Sequence, residues 1–245
     1  MLRSTTALVL LGIAVAVPSV LSLEGRAQSV VATSSPEAVI IPMADGTRVI
    51  GRFTRSGDGS RGAVLFSMCS RNAIDGWTPI VDRLAAAGIS SLAVTSPTPR
   101  PAAPGPAGTP VNTRAADADA IIADAARRLA PGALLAVGGG SCGVHLALLA
   151  ATRHPDVVRA AVVVSGPYDD DLLARINQLP LLAMFSGASR SEGPAIGWAE
   201  ALRSSSKHAA SRVLIREGRA HGTEMFVEDT ALASDVAACV AEQLR

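Results

Sequence analysis

Leu134-Leu135-Ala136-Val137-Gly138-Gly139-Gly140-Ser141-Cys142-Gly143-Val144-His145-Leu146-Ala147 decides how this chain is read. An apolar run long enough for a buried strand meets a glycine cluster, one serine, and then an apolar run of helical character. Gly139-x-Ser141-x-Gly143 is a weak pattern by itself, and the strand before it and the helix after it make it specific. A serine on so tight a turn is held in a strained backbone conformation. Side chains at the flanking positions would collide there, and glycine removes the collision. The helix that starts beside it turns its free N–H groups toward the serine, where negative charge is stabilised.

Outward from this segment, short apolar runs alternate with helical patterns. Residues 39–41 and 47–53 read as strands around the turn Asp45-Gly46. Residues 63–66, 89–95, 133–137, 160–165, 181–186 and 212–216 read as further strands. Residues 78–87, 112–129, 144–152, 198–206 and 230–244 read as helices. The strands from residue 63 onward lack period-2 alternation. This is the pattern of a mostly parallel sheet covered by helices on both faces, an α/β fold in a single domain. Residues 96–110, SPTPRPAAPGPAGTP, are too rich in Pro and Gly for helix or central strand and read as a surface loop.

The N-terminus has a separate reading. Met1-Leu2-Arg3 is a short positive region, and residues 7–17 are eleven uninterrupted apolar residues. This is the form of a secretory signal peptide, residues 1–27, with cleavage after Ala27 and a mature domain over residues 28–245. The run is shorter than the ~20 residues a membrane-spanning helix needs, so no stable membrane anchor is expected. The expected location is secreted or periplasmic.

Composition excludes other classes. The chain has 245 residues, 49% hydrophobic and 18% charged, which is too apolar for a disordered protein. Its net charge is +1, with 22 basic and 21 acidic residues and no long basic run, so no nucleic-acid partner is expected. Aromatic residues make up 3%, too few for base-stacking platforms. The three cysteines, Cys69, Cys142 and Cys239, have no zinc-ligand spacing and read first as small buried hydrophobes. No metal and no organic cofactor is implied.

The segment around Ser141 resembles the nucleophile elbow of the α/β-hydrolase family, and the resemblance runs from about residue 63 to the C-terminus. It departs from the commonest elbow at Val144, where a second Gly is usual, and at Cys142 after the serine. The resemblance implies a lidless hydrolase of the esterase or dienelactone-hydrolase kind. Only about fifteen residues separate the strands ending at Ser165 and beginning at Leu181, where the family inserts lids.

A serine hydroxyl needs a base. Of the four histidines, His145 lies inside the buried helix, His154 ends it and His208 lies in a polar stretch. His221 follows the last core strand in a short polar loop and is followed by Gly222, where the family places its catalytic His. For the acid, the family's usual Asp position is occupied by Arg190. Glu192 is the one carboxylate in that loop and keeps the order nucleophile, acid, base. The cluster Asp169, Asp170 and Asp171 after the preceding strand is the rival source, with a solvated helix start as its plain reading, and a site without an acid is the third.

The oxyanion hole implied by the resemblance uses the backbone N–H of Cys142 and a second donor from Ser67-Met68-Cys69-Ser70, by position Cys69 with Met68 as the alternative. The His-Gly that often opens this loop in the family is missing. So placed, Cys69 and Cys142 face each other across the site, as a thiol pair or a disulfide.

The expectation is hydrolysis of a small carboxylic ester, or a thioester, through an acyl-enzyme. Activity should fall as pH drops through the range where an imidazole gains a proton, near ~6.5 when unperturbed. Two alternatives stay open. One is a non-catalytic binding protein on the same fold. The other is a dinucleotide-binding domain, because Gly138-x-Gly140-x-x-Gly143 also spells that fingerprint, with Asp169 as the nearest acid.

Overall fold

Runs such as Ala63-Val64-Leu65-Phe66 are apolar on consecutive residues because both faces of the strand are covered. Val64 and Phe66 pack into one core, and Ala63 and Leu65 into the other. The computed structural model describes residues 35–69, 74–95 and 113–245. The signal-peptide reading, the Pro-rich loop reading and Ser70 lie outside the described residues.

Eight strands form one sheet: β1 (Glu37–Pro42), β2 (Arg48–Thr54), β3 (Arg61–Phe66), β4 (Ser90–Val94), β5 (Leu134–Gly140), β6 (Val158–Val164), β7 (Ala183–Ser189) and β8 (Arg212–Arg216). Their order across the sheet is β1-β2-β4-β3-β5-β6-β7-β8. β2 runs antiparallel to both neighbours, and every other pair is parallel. The described helices are α1 (Thr78–Ala86), α2 (Thr113–Arg128), α3 (Gly143–Arg153), α4 (Asp170–Ile176), α5 (Gly193–Ser205), α6 (Glu224–Glu228) and α7 (Thr230–Gln243). Ile121 of α2 and Leu148 of α3 pack on one face of the sheet with Phe66 and Val137. Leu84 of α1, Phe226 of α6 and Val236 of α7 pack on the other with Leu65 and Phe185.

Several elements differ from the sequence reading. β5 continues through Gly138, Gly139 and Gly140, because Gly138 and Gly139 are paired to Leu65 and Phe66 on one side and all three to residues 162–164 on the other. Pairing from two neighbours outweighs the low strand propensity of glycine. α5 begins at Gly193 rather than Trp198, with a proline in its first turn, where the missing N–H costs nothing. α4 is the helix start that the plain reading of Asp169, Asp170 and Asp171 gives, whereas α6 is too short to show a period. Between β6 and β7 the chain carries only α4, so no lid domain is inserted between these two strands.

Candidate active site

Ser141 sits where β5 turns into α3, with φ of 50°. Its N–H donates to the Val164 carbonyl at 2.9 Å, and its carbonyl accepts from the Val144 N–H at 3.0 Å. Glycine is required on both sides of it. A Cβ on Gly139 would stand 2.7 Å from Val144 Cα, and one on Gly143 would stand 2.8 Å from the Ser67 carbonyl oxygen. The turn is therefore tight because the end of β3, the end of β5 and the start of α3 are in near contact.

His221 lies in the loop after β8, and its Nε2 is 2.8 Å from Ser141 Oγ. Its other ring nitrogen, Nδ1, is hydrogen-bonded to Glu192 Oε1. Glu192 follows β7 and is mostly buried, while the imidazole remains half-exposed. The second oxygen of Glu192 is occupied too. Oε2 accepts from Ser165 Oγ at 2.6 Å and from the Ser189 N–H at 3.2 Å. A carboxylate with both oxygens bonded has one orientation available to it, and so has the imidazole it holds.

Ser165 was missed in the sequence. It directly follows β6, is buried, and has φ of 54°. Among the described residues, Ser141 and Ser165 are the non-glycine residues with a left-handed φ. Such strain persists only where the surroundings fix it. No sequence motif marks Ser165; the one available signal was a polar residue ending an apolar strand just ahead of the Gly166-Pro167 break.

The rival acids do not join this chain. Asp169 flanks the N-terminus of α4, with Asp170 and Asp171 in its first turn, and its Oδ2 lies 3.6 Å from His145 Nε2 rather than at His221. Arg190, where the resemblance led to an expected Asp, pairs with Glu217 and so links the loop of Glu192 to the loop of His221. His154 bonds Asp119, and His208 accepts from the Ala210 N–H at 3.2 Å.

At the start of α3 the Cys142 N–H belongs to the first turn, whose donors have no intrahelical acceptor. Cys69 stands after β3, and Met68 packs behind it against Gly140 and Gly222. Cys69 and Cys142 form a disulfide, with Cα atoms 6.0 Å apart. This corrects the reading of the cysteines as small buried hydrophobes: Cys69 is exposed and Cys142 half-buried. Cys239 is the free thiol, and burial pushes its pKa up. A cleft of about 210 Å³ beside Cys142 is lined by His145, Pro167, Tyr168 and Asp169. Burial, with Asp170 adding, pushes the Tyr168 phenol up to about 12, and its hydroxyl donates to the Trp198 carbonyl at 2.8 Å.

The dinucleotide reading does not fit this site. A Cβ on Gly138 would meet Leu65 and Trp77, and one on Gly140 would meet Thr223 and Met68, so these glycines admit close packing and leave no surface for a pyrophosphate. Among the described residues no three His, Cys, Asp or Glu side chains converge where a metal ion could be held.

No family model matches the chain, and no curated protein does. Solved structures do. Est1E from Butyrivibrio proteoclasticus is 12% identical, over 84% of this chain and 98% of that one, with a TM-score of 0.65. The esterase domain of a Rhodothermus marinus protein is 14% identical, over 85% and 97%, at 0.62. A dienelactone hydrolase from Anabaena variabilis is 19% identical, over 86% and 99%, at 0.59. The chain has the α/β-hydrolase fold.

Proposed function

We propose that this protein is a serine hydrolase that cleaves a small carboxylic ester, or a thioester, through an acyl-enzyme. The carrying observation is the unbroken hydrogen-bonded line from Ser141 Oγ through both nitrogens of His221 to Glu192. Ser141 attacks the carbonyl carbon as His221 Nε2 takes its proton. Glu192 holds the imidazole in the orientation that leaves Nε2 facing the serine, and stabilises the imidazolium. The N–H groups of Cys142 and Cys69 receive the oxyanion. His221 then protonates the departing alcohol or thiol, and in the second half takes a proton from the water that frees the acyl group.

The short connection between β6 and β7, which carries only α4, and the modest cleft beside Cys142 support a small substrate. Esterases and a dienelactone hydrolase share the fold, which agrees with this class of chemistry. We place the protein in an oxidising compartment, secreted or periplasmic. The disulfide supports this, as such bonds persist outside the reducing cytoplasm, and so does the signal-like composition of residues 1–27. Among the described residues no helix is long and apolar enough to cross a membrane.

The test is turnover of p-nitrophenyl esters from acetate to decanoate, and of a short thioester, by the oxidised protein and by Ser141→Ala. Turnover that favours short acyl chains and is absent from the variant is expected. No turnover of any ester, or equal turnover by the variant, would overturn the reading in favour of a binding protein on this fold.

A further inference from the structure

We infer that the Cys69–Cys142 disulfide is the positioning element of the oxyanion hole, so that the hydrolase works in its oxidised form and slows when the bond is reduced. The inference rests on the hydrolase reading and deepens it. Its basis is where the bond lies. The cysteines are 73 residues apart in sequence, and they are the two residues whose N–H groups the reading assigns to the oxyanion. Cys142 is the residue after the nucleophile, fixed at the head of α3. Cys69 stands just beyond β3, which is anchored up to Ser67, whose N–H donates to the Val94 carbonyl at 2.9 Å. From there to Cys69 the chain has left the sheet and its ladder of hydrogen bonds.

Donors contribute to an oxyanion hole only when fixed before the charge develops, because a donor that must be ordered during the reaction returns part of the gain as entropy. A covalent bond from Cys69 to the residue beside the nucleophile provides that fixation. The near contact of the Phe66 and Ser67 carbonyls with Gly143 sets the two segments at the separation the bond spans. Cys69 is exposed, so a small dithiol can reach it. One thiolate of the dithiol attacks a sulfur and breaks the Cys69–Cys142 bond. The second thiolate then displaces the mixed disulfide. The products are two cysteine thiols and the cyclic disulfide of the dithiol, two electrons having passed to the protein. The two backbone N–H groups remain, and what is lost is their fixed relation.

The experiment compares three samples: oxidised protein, protein reduced with a dithiol and held reduced, and the Cys69→Ser/Cys142→Ser double variant. For each, kcat and KM on a short p-nitrophenyl ester are measured, together with affinity for a trifluoromethyl ketone, whose adduct on Ser141 carries an oxyanion, and the far-UV circular dichroism. The expected result is a kcat lower by about 10- to 100-fold in the reduced and double-variant samples, short of the loss from deleting a donor outright. Ketone affinity should fall by a similar factor, with KM and circular dichroism unchanged. Reoxidation should restore the reduced wild type but not the double variant. Unchanged kcat and ketone affinity in both samples would overturn the inference. So would a collapse of the circular dichroism on reduction, since the bond would then be holding the fold rather than the hole. Failure of the oxidised protein to turn over ester or take up ketone is a different failure: it removes the hydrolase reading, and the inference with it.

Discussion

Two histidines of this protein are bonded to carboxylates in much the same way, and only one of them faces a serine hydroxyl. His221 binds Glu192 at the C-terminal edge of the sheet, and its free nitrogen meets Ser141 on a strained turn at the head of α3. His154 stands at the tail of the same helix and binds Asp119 of α2 at 2.8 Å, but Asp119 is shared with Arg153. A histidine–carboxylate pair is therefore no signature of catalysis. The difference lies in the surroundings. At the head of α3 the helix presents unpaired donors that favour negative charge. At its tail it presents carbonyls, and the Arg153 guanidinium already holds the carboxylate.

The largest effects should separate the two pairs cleanly. Ser141→Ala and His221→Ala should each lower kcat by roughly 10⁴- to 10⁶-fold, while His154→Ala should leave kcat on a short ester unchanged and lower the unfolding free energy by about 1 kcal/mol. An activity loss in His154→Ala comparable to that in His221→Ala would break the distinction. Next in size is Glu192→Gln, which keeps the shape but removes the charge that holds the imidazole. A fall in kcat of about 10²- to 10⁴-fold is expected, with KM little changed.

A smaller effect tests what fixes Glu192. Ser165→Ala removes the 2.6 Å bond to Oε2 and should cost on the order of tenfold in kcat, the scale of one hydrogen bond to a charged group. Ser165→Thr, which keeps the hydroxyl, should recover part of that rate. A rate unchanged in Ser165→Ala would show that the Ser189 N–H suffices to orient the carboxylate.

The smallest effect belongs to the other pair. The Arg153 hydrogen bonds hold the Asp119 carboxyl below the usual carboxylate range, opposed by burial and assisted by His154. Because its pKa is lower folded than unfolded, Asp119 contributes its full stability above the ordinary carboxylate value and loses it as pH falls through the folded one. The site is partly exposed, so Asp119→Asn should cost only about 0.5–1 kcal/mol at neutral pH. Its stability, from urea melts, should then fall less than that of the wild type on going to acid. Parallel acid limbs in the two proteins would refute this linkage.

Much of the edge that carries Ser141 and His221 is legible in the sequence because it is local. The glycines around Ser141 follow from backbone crowding within five residues, and His221 stands out by following the last strand. The alternation of apolar runs and helical patterns carried the sheet in the same way. The remainder depends on contacts between distant segments. Glu192 had rivals because a loop sequence does not say which carboxylate turns inward. The Cys69–Cys142 bond spans 73 residues, and the partnership of Ser165 with Glu192 joins the ends of two adjacent strands. Gly138, Gly139 and Gly140 read as loop because glycine has little strand propensity of its own, and their place in β5 comes from the neighbours that pair with them.

The most direct test of the central claim is fluorophosphonate labelling of the folded, oxidised protein at pH 8, with the modified residue located by peptide mass spectrometry. The account predicts one phosphonyl adduct, on Ser141, absent from Ser141→Ala and formed far more slowly in His221→Ala, with labelling of His154→Ala as fast as wild type. No adduct on the folded protein, or an adduct that persists in Ser141→Ala, would contradict it.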